Sequence, residues 1–141
     1  MSLMNTYTLA NGVKIPVLGF GTWQTPAGKT ATDSVLAALD AGFTHIDTAE
    51  MYGNEKSIGQ AVKASGIARN DLFITSKLDN QAHTYELATQ ALDRSLSDLE
   101  TDYLDLFLIH WPNPKAFRDQ DWKKHLQETW RALEDAYKAG K

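Results

Sequence analysis

The 141-residue chain contains no cysteine, which excludes disulfides and thiolate chemistry. It also lacks an excess of positive charge. Fourteen Lys and Arg stand against 18 Asp and Glu, a formal net charge of -4, and no basic cluster offsets that balance. Such a chain has no electrostatic footprint for nucleic acid or an anionic membrane surface. Long apolar runs are missing as well. The longest surrounds Phe107 and is interrupted by Asp105, far short of the roughly 20 residues of a membrane helix. No charged segment followed by an apolar core opens the chain, so no secretory leader is expected. With nothing pointing outward, the expected compartment is the cytoplasm. Metal ligands are sparse. His45 and Asp47 share one face of a strand, but the other histidines, His83, His110 and His125, form no ligand cluster with them. No metal is expected.

What remains is ordinary globular material, 43% hydrophobic and 23% charged, without repeats, linkers or low-complexity segments. One domain is expected. Met1-Ser2-Leu3 precede a second methionine, Met4, and read as an expression scar, leaving 4–141 to carry the fold. Tyr7–Ala10 and Val13–Ile15 flank Asn11-Gly12, which predicts a hairpin with a two-residue type I′ turn. Val17–Thr22 reads as a short buried strand. A rhythm of strands and helices follows. Thr30 and Asp33 look like the start of a helix that stops at Gly42. Phe43–Asp47 is a strand, and Asn54 caps a helix that ends at Gly66. Leu72–Ser76 is a strand, and a helix runs from about Thr84 to Leu99. Tyr103–Ile109 is the last strand. A final helix carries Leu126, Trp130, Leu133 and Tyr137 at helical spacing.

A hairpin followed by four βα units implies a parallel sheet with right-handed crossovers. Two architectures fit: a small open doubly wound sheet, or half of a (β/α)8 TIM barrel, whose full length is ~250 residues. In a barrel the active site gathers at the C-terminal strand ends. Asp47 ends the second strand, Tyr52 follows in the next loop, Lys77 ends the third strand and His110 ends the fourth. Polar residues also begin wherever strands stop, but these four share a chemistry. Tyrosine titrates at about 10 in water, too high for a good acid at neutral pH. An ammonium such as Lys77 favours its phenolate. A carboxylate such as Asp47 keeps that lysine charged and aimed. A histidine N–H such as that of His110 can orient a carbonyl oxygen.

Three segments carry a resemblance. His45-Ile-Asp-Thr-Ala-Glu-Met-Tyr-Gly-Asn-Glu55, Thr75-Ser-Lys-Leu78 and Leu104-Asp-Leu-Phe-Leu-Ile-His-Trp-Pro112 resemble, in order and spacing, the motifs of the aldo-keto reductase family. The likeness runs from about Tyr7 to Lys141 and covers the N-terminal half of that family's barrel. It implies Tyr52 as general acid, polarised by Lys77 and Asp47, with His110 orienting the substrate and a reduced nicotinamide supplying hydride. It further implies NADPH, with NADH possible, as cofactor, and Gly21, Thr22 and Asp47 as cofactor contacts. Trp23, Trp111 and His110 are implied as substrate contacts for a small carbonyl compound. In the family the residues that hold the adenosine phosphate lie in the C-terminal half. A chain of four units alone is therefore expected to be inactive, with two open sheet edges through which it could homodimerise.

Other readings compete. Gly19-Phe-Gly21-Thr-Trp-Gln24 lacks the third glycine and the following helix of a dinucleotide fingerprint. Trp23 and Trp111 would be packed aromatics if they did not face substrate, and Trp122 and Trp130 read as helix packing. Asp105, inside an apolar strand, reads as a structural, hydrogen-bonded acid. Many family members carry an aromatic residue after the lysine strand where Asp79 stands here, a departure that favours a more polar substrate. The rivals in function are a non-catalytic nucleotide-binding member of the same fold and a metal-dependent (β/α)8 hydrolase.

Overall fold

The computed structural model describes residue 3 and residues 5–141, so the expectation of an expression scar falls, at Met1 and Ser2, outside the described residues. The order is β1 (Thr6–Thr8), β2 (Lys14–Pro16), β3 (Phe20–Gly21), α1 (Lys29–Asp40), β4 (His45–Asp47), α2 (Glu55–Ser65), β5 (Phe73–Leu78), α3 (Tyr85–Asp98), β6 (Leu106–Ile109) and α4 (Trp122–Lys138). β1 and β2 pair antiparallel, while β3, β4, β5 and β6 form a parallel sheet in chain order. Among the described residues no helix is long and apolar enough to cross a membrane.

The hairpin forms, but with a different turn. Gly12 N–H donates to Leu9 O (2.9 Å) and Leu9 N–H to Val13 O (2.8 Å), which encloses three loop residues, Ala10, Asn11 and Gly12. Only Gly12, at φ 85°, is left-handed. This is the three-residue loop with glycine at the left-handed position; Asn11 need not adopt the positive φ that a type I′ turn demands. The first strand of the parallel sheet is also shorter than expected. Only Phe20–Gly21 pairs, against Ile46 and Asp47, and β3 stands at the edge of these four strands, with Leu18 and Gly19 exposed there.

α1 starts at Lys29 with Gly28 as its N-cap, and no side chain caps it. The expected box at Thr30 and Asp33 does not form; Gly28 N–H instead donates to Ser57 Oγ at 2.8 Å. Thr84 does cap α3, accepting from Leu87 N–H at 3.2 Å. The main core lies between the helices and one sheet face, with Val35, Leu39, Ile46, Ile58, Ile74 and Leu96 among its members. α2 meets the end of α3 closely, since a Cβ on Gly59 would lie 2.6 Å from Asp98 O. Asp105 is structural as expected: its Oδ2 accepts from Arg69 Nη2 (2.8 Å) and Ile74 N–H (2.9 Å).

Within these four βα units α4 buries its small residues. Thr129 and Ala132 are buried, and Ala132 packs in a cluster with Ala88 and Ala91 of α3. Small residues on both sides let the two helices approach. Trp130 and Tyr137 are 57% and 74% exposed within these four βα units. With Leu133, Leu106 and Phe107 they line a groove of about 520 Å³ along the free edge of β6.

Candidate active site

Side chains alternate along a strand, so parallel neighbours present whole rows to one face. Asp47 pairs with Gly21 on one side and Thr75 on the other. Lys77 is two residues beyond Thr75 and therefore on the same face. Its ammonium donates to Asp47 Oδ1 at 2.5 Å and to Thr48 O at 2.9 Å. Tyr52 is delivered by a tight 3-10 turn, Glu50–Tyr52, which ends at Gly53 with φ 66°. A left-handed residue is needed there to turn the chain into α2. The Tyr52 hydroxyl lies 3.4 Å from Lys77 Nζ. His110 follows the last residue of β6 and meets the Tyr52 ring edge-to-face, at 5.9 Å and 77°. All four expected residues therefore come together at one end of the sheet.

The ion pair is largely sheltered, the Lys77 side chain being 14% exposed and that of Asp47 35%. The imidazole of His110 is held below its ordinary value, first by burial and then by the Lys77 charge, with Asp47 and Asp79 pulling the other way. Burial thus favours its neutral form, which can offer one N–H as a donor. Its Nδ1 is buried without a hydrogen-bond partner among the described residues.

Of the polar residues that support this site, the sequence singled out Asn54 alone, and only as a helix cap. Glu50 Oε1 accepts from Arg94 Nε (3.0 Å) and Nη2 (2.8 Å), and its Oε2 accepts from Asp79 N–H at 3.3 Å. The turn that carries Tyr52 is thus tied to α3 and to the end of β5. Asn54 stands at the N-cap of α2 as expected, but its side chain does not cap the helix. Nδ2 donates instead to Thr22 O (2.9 Å) and Thr25 O (3.0 Å), and Oδ1 accepts from Thr48 at 3.3 Å. Glu55, 4% exposed, accepts from Ser76 at 2.5 Å and Ser95 at 2.9 Å. Burial raises its carboxyl above the usual range, opposed by these two hydroxyls. Asn54 and Glu55 stand in the same segment as Asp47 and Tyr52, which was the available signal. Nothing local marks Arg94, whose partner is 44 residues away.

The expected cofactor and substrate contacts separate into open and closed positions. At Gly21 an added Cβ would meet nothing within 4 Å, so the backbone beside Asp47 is approachable. Thr22 is placed differently from the expectation. It is fully buried, its hydroxyl donates to Asp47 O at 3.1 Å and its carbonyl is taken by Asn54. Trp23 and Trp111 are 67% and 53% exposed within these four βα units. Both stand in loops that follow strand ends, Trp111 immediately beside His110.

This arrangement, a lysine–aspartate pair beneath a tyrosine with a histidine against its ring, stands in a chain that has clear relatives. The profile of the Aldo/keto reductase family matches residues 17–141. The chain belongs to the aldo/keto reductase family. It is 46% identical over 140 residues to a glyoxal reductase of Bacillus subtilis (strain 168), covering 99% of this chain and 48% of that protein. Among solved structures it superposes on an aldo/keto reductase from Brucella melitensis with TM-score 0.88 at 45% identity, covering 99% of this chain and 50% of that one. It superposes on the aldo-keto reductase of Bombyx mori in complex with NADP with TM-score 0.84 at 33% identity, covering 99% and 48%. The chain spans about half the length of the relatives it matches. Its hairpin and four βα units are the N-terminal half of the aldo/keto reductase (β/α)8 barrel.

Proposed function

We propose that this chain supplies the acid–base half of a carbonyl reductase, a longer enzyme that converts an aldehyde or ketone to an alcohol. The observation that carries this reading is the Lys77 ammonium between Asp47 and the Tyr52 hydroxyl, at 2.5 and 3.4 Å. Tyr52 delivers its proton to the carbonyl oxygen as the carbon is reduced. The ammonium stabilises the phenolate left behind, Asp47 fixes the ammonium, and Tyr52 regains its proton from solvent. His110, neutral and beside the same ring, donates its N–H to the carbonyl oxygen and sets its angle. A reduced nicotinamide, when bound, supplies the hydride. The open backbone at Gly21 and the partly exposed Asp47 carboxylate are the contacts we favour for it, while buried Thr22 holds the loop. NADPH is the cofactor we favour, the cytoplasm the compartment, and Trp23 and Trp111 the walls against which a small carbonyl substrate lies.

The second reading, a nucleotide-binding protein without turnover, has no use for a sheltered proton donor. The experiment is reduction of a generic aldehyde by the full-length enzyme, followed as loss of reduced nicotinamide absorbance. Tight nucleotide binding with no aldehyde-dependent oxidation would favour the second reading. We also propose that the 141-residue chain alone is inactive and self-associates through the free edges of β3 and β6, since unpaired edges and the apolar groove beside α4 seek cover. Light scattering that shows a stable monomer with reductase activity would overturn this.

A further inference from the structure

Two backbone segments set the distance between Tyr52 and its ammonium. One is the 3-10 turn Glu50–Tyr52, which carries the phenol; the other is the end of β5, which carries Lys77. The ammonium is fixed by its own bonds to Asp47 Oδ1 and Thr48 O. The phenol hydroxyl stands 3.4 Å from it, near the outer limit of a hydrogen bond. A small slip of the turn therefore breaks that contact.

Glu50 spans the two segments. It opens the turn, two residues before Tyr52, and its Oε2 accepts from the backbone N–H of Asp79, two residues beyond Lys77, at 3.3 Å. Its Oε1 is gripped by Arg94 of α3, through Nε at 3.0 Å and Nη2 at 2.8 Å. Two donors of one rigid guanidinium on one oxygen fix its direction as well as its distance. The Glu50 side chain is 15% exposed, so it has little room to swing away. α3 is a firm anchor at that point, since the next residue, Ser95, donates to buried Glu55 at 2.9 Å. Ion pairs near a surface add little to stability; what this one sets is the place of the turn.

We propose that Arg94 and Glu50 are positioning residues, a clamp from α3 that holds the Tyr52 hydroxyl within reach of the Lys77 ammonium. The inference rests on the carbonyl-reductase reading given above. Neither residue acts on the reacting atoms. Without the clamp the turn relaxes and Tyr52 drifts from Lys77. The phenol then loses the charge that favours its ionised form and gives up its proton less readily. The defect lies in the aim of the donor and not in substrate binding, so it falls on kcat rather than KM. A direct effect of the two charges differs in sign: losing the Arg94 cation raises the phenol's value, and losing the Glu50 anion lowers it. Loss of aim raises it in both cases.

The test uses the full-length enzyme and its Arg94→Met, Glu50→Ala and doubly substituted variants, with reduction of a generic aldehyde followed across pH. Each single variant is expected to lower kcat by about three- to tenfold with KM within about twofold, less than the roughly 100-fold cost of a 1 Å misplacement. The double variant should fall no further than the worse single, because both substitutions break one link. The alkaline limb of the kcat profile should move upward in both singles. Arg94→Lys keeps the charge but not the two-donor grip, and should lose about two- to threefold. Should the other variants not fold, Arg94→Lys decides, a wild-type kcat overturning the role. Limbs that move in opposite directions in Arg94→Met and Glu50→Ala mean that charge alone acts, and overturn the clamp. An unmoved limb and unchanged kcat beside a lowered Tm also overturn it, leaving the pair a purely structural one. A wild type that reduces no aldehyde overturns the carbonyl-reductase reading, and this role with it.

Discussion

Replacing Lys77 by methionine keeps the side-chain length and removes the ammonium, and its consequences can be worked out from the site. Three acceptors lose their donor: Asp47 Oδ1, Thr48 O and the Tyr52 hydroxyl. The Asp47 side chain, 35% exposed, keeps some contact with water, so its stranded charge costs less than the roughly 3–5 kcal/mol of a fully buried broken pair. We expect a loss of about 1–3 kcal/mol, which at about 3 °C per kcal/mol lowers Tm by roughly 3–9 °C. The catalytic effect is separate. A unit charge 3.4 Å from the phenol oxygen stabilises a developing phenolate by about 1–5 kcal/mol for effective dielectrics between 80 and 20. The expected fall in kcat is therefore between about ten and several thousandfold. The alkaline limb of the pH–rate profile, where a general acid loses its proton, should move upward at the same time. Adding Asp47→Asn should recover part of the lost Tm, because no carboxylate is then stranded, without recovering rate. A Lys77→Met enzyme with an unmoved pH–rate profile and near-normal kcat would show that the lysine only packs.

Two further outcomes follow from the scaffold. Gly59→Ala should be among the more damaging small substitutions, since the new methyl would lie 2.6–2.8 Å from the backbone of Asp98 and Leu99. A loss of about 1–3 kcal/mol in denaturant unfolding is expected, and an unchanged midpoint would show that α2 and α3 are not locked there. Glu55→Gln probes a carboxyl whose protonation is favoured in the fold. The folded form binds its proton more tightly than the unfolded chain, so its contribution is fully present below the unfolded value near 4.3 and is lost as pH rises through the raised value. The Tm of Glu55→Gln relative to wild type should therefore climb between acid and neutral pH, whereas a flat difference would remove burial as the cause.

Much of the site was legible because barrel topology converts chain order into position. Once strands were placed by periodicity, Asp47, Lys77 and His110 had to share one rim, and the structure brings them there with Tyr52. Boundaries were less legible where tertiary contacts replace local signals. α1 is started by Gly28 and a bond to Ser57 rather than by its own cap, and Asn54 spends its amide on two distant carbonyls. The Asn11-Gly12 pair marked the hairpin but not its loop length, since one glycine at positive φ serves a three-residue loop equally well. The α4 stripe marks a face that the four units present leave uncovered. Periodicity reports which residues are apolar, not which face has a neighbour, and here the small residues found α3 first. The link from Glu50 to Arg94 carried no local signature at all.

The central claim is that Tyr52 gives up a proton, and Tyr52→Phe in the full-length enzyme tests it with the least disturbance. The ring and its edge-to-face contact with His110 remain, and only the hydroxyl beside Lys77 is lost. The account predicts that kcat for aldehyde reduction falls by on the order of 10²–10⁴, with nicotinamide binding intact. Reduction at close to the wild-type rate by Tyr52→Phe would contradict it.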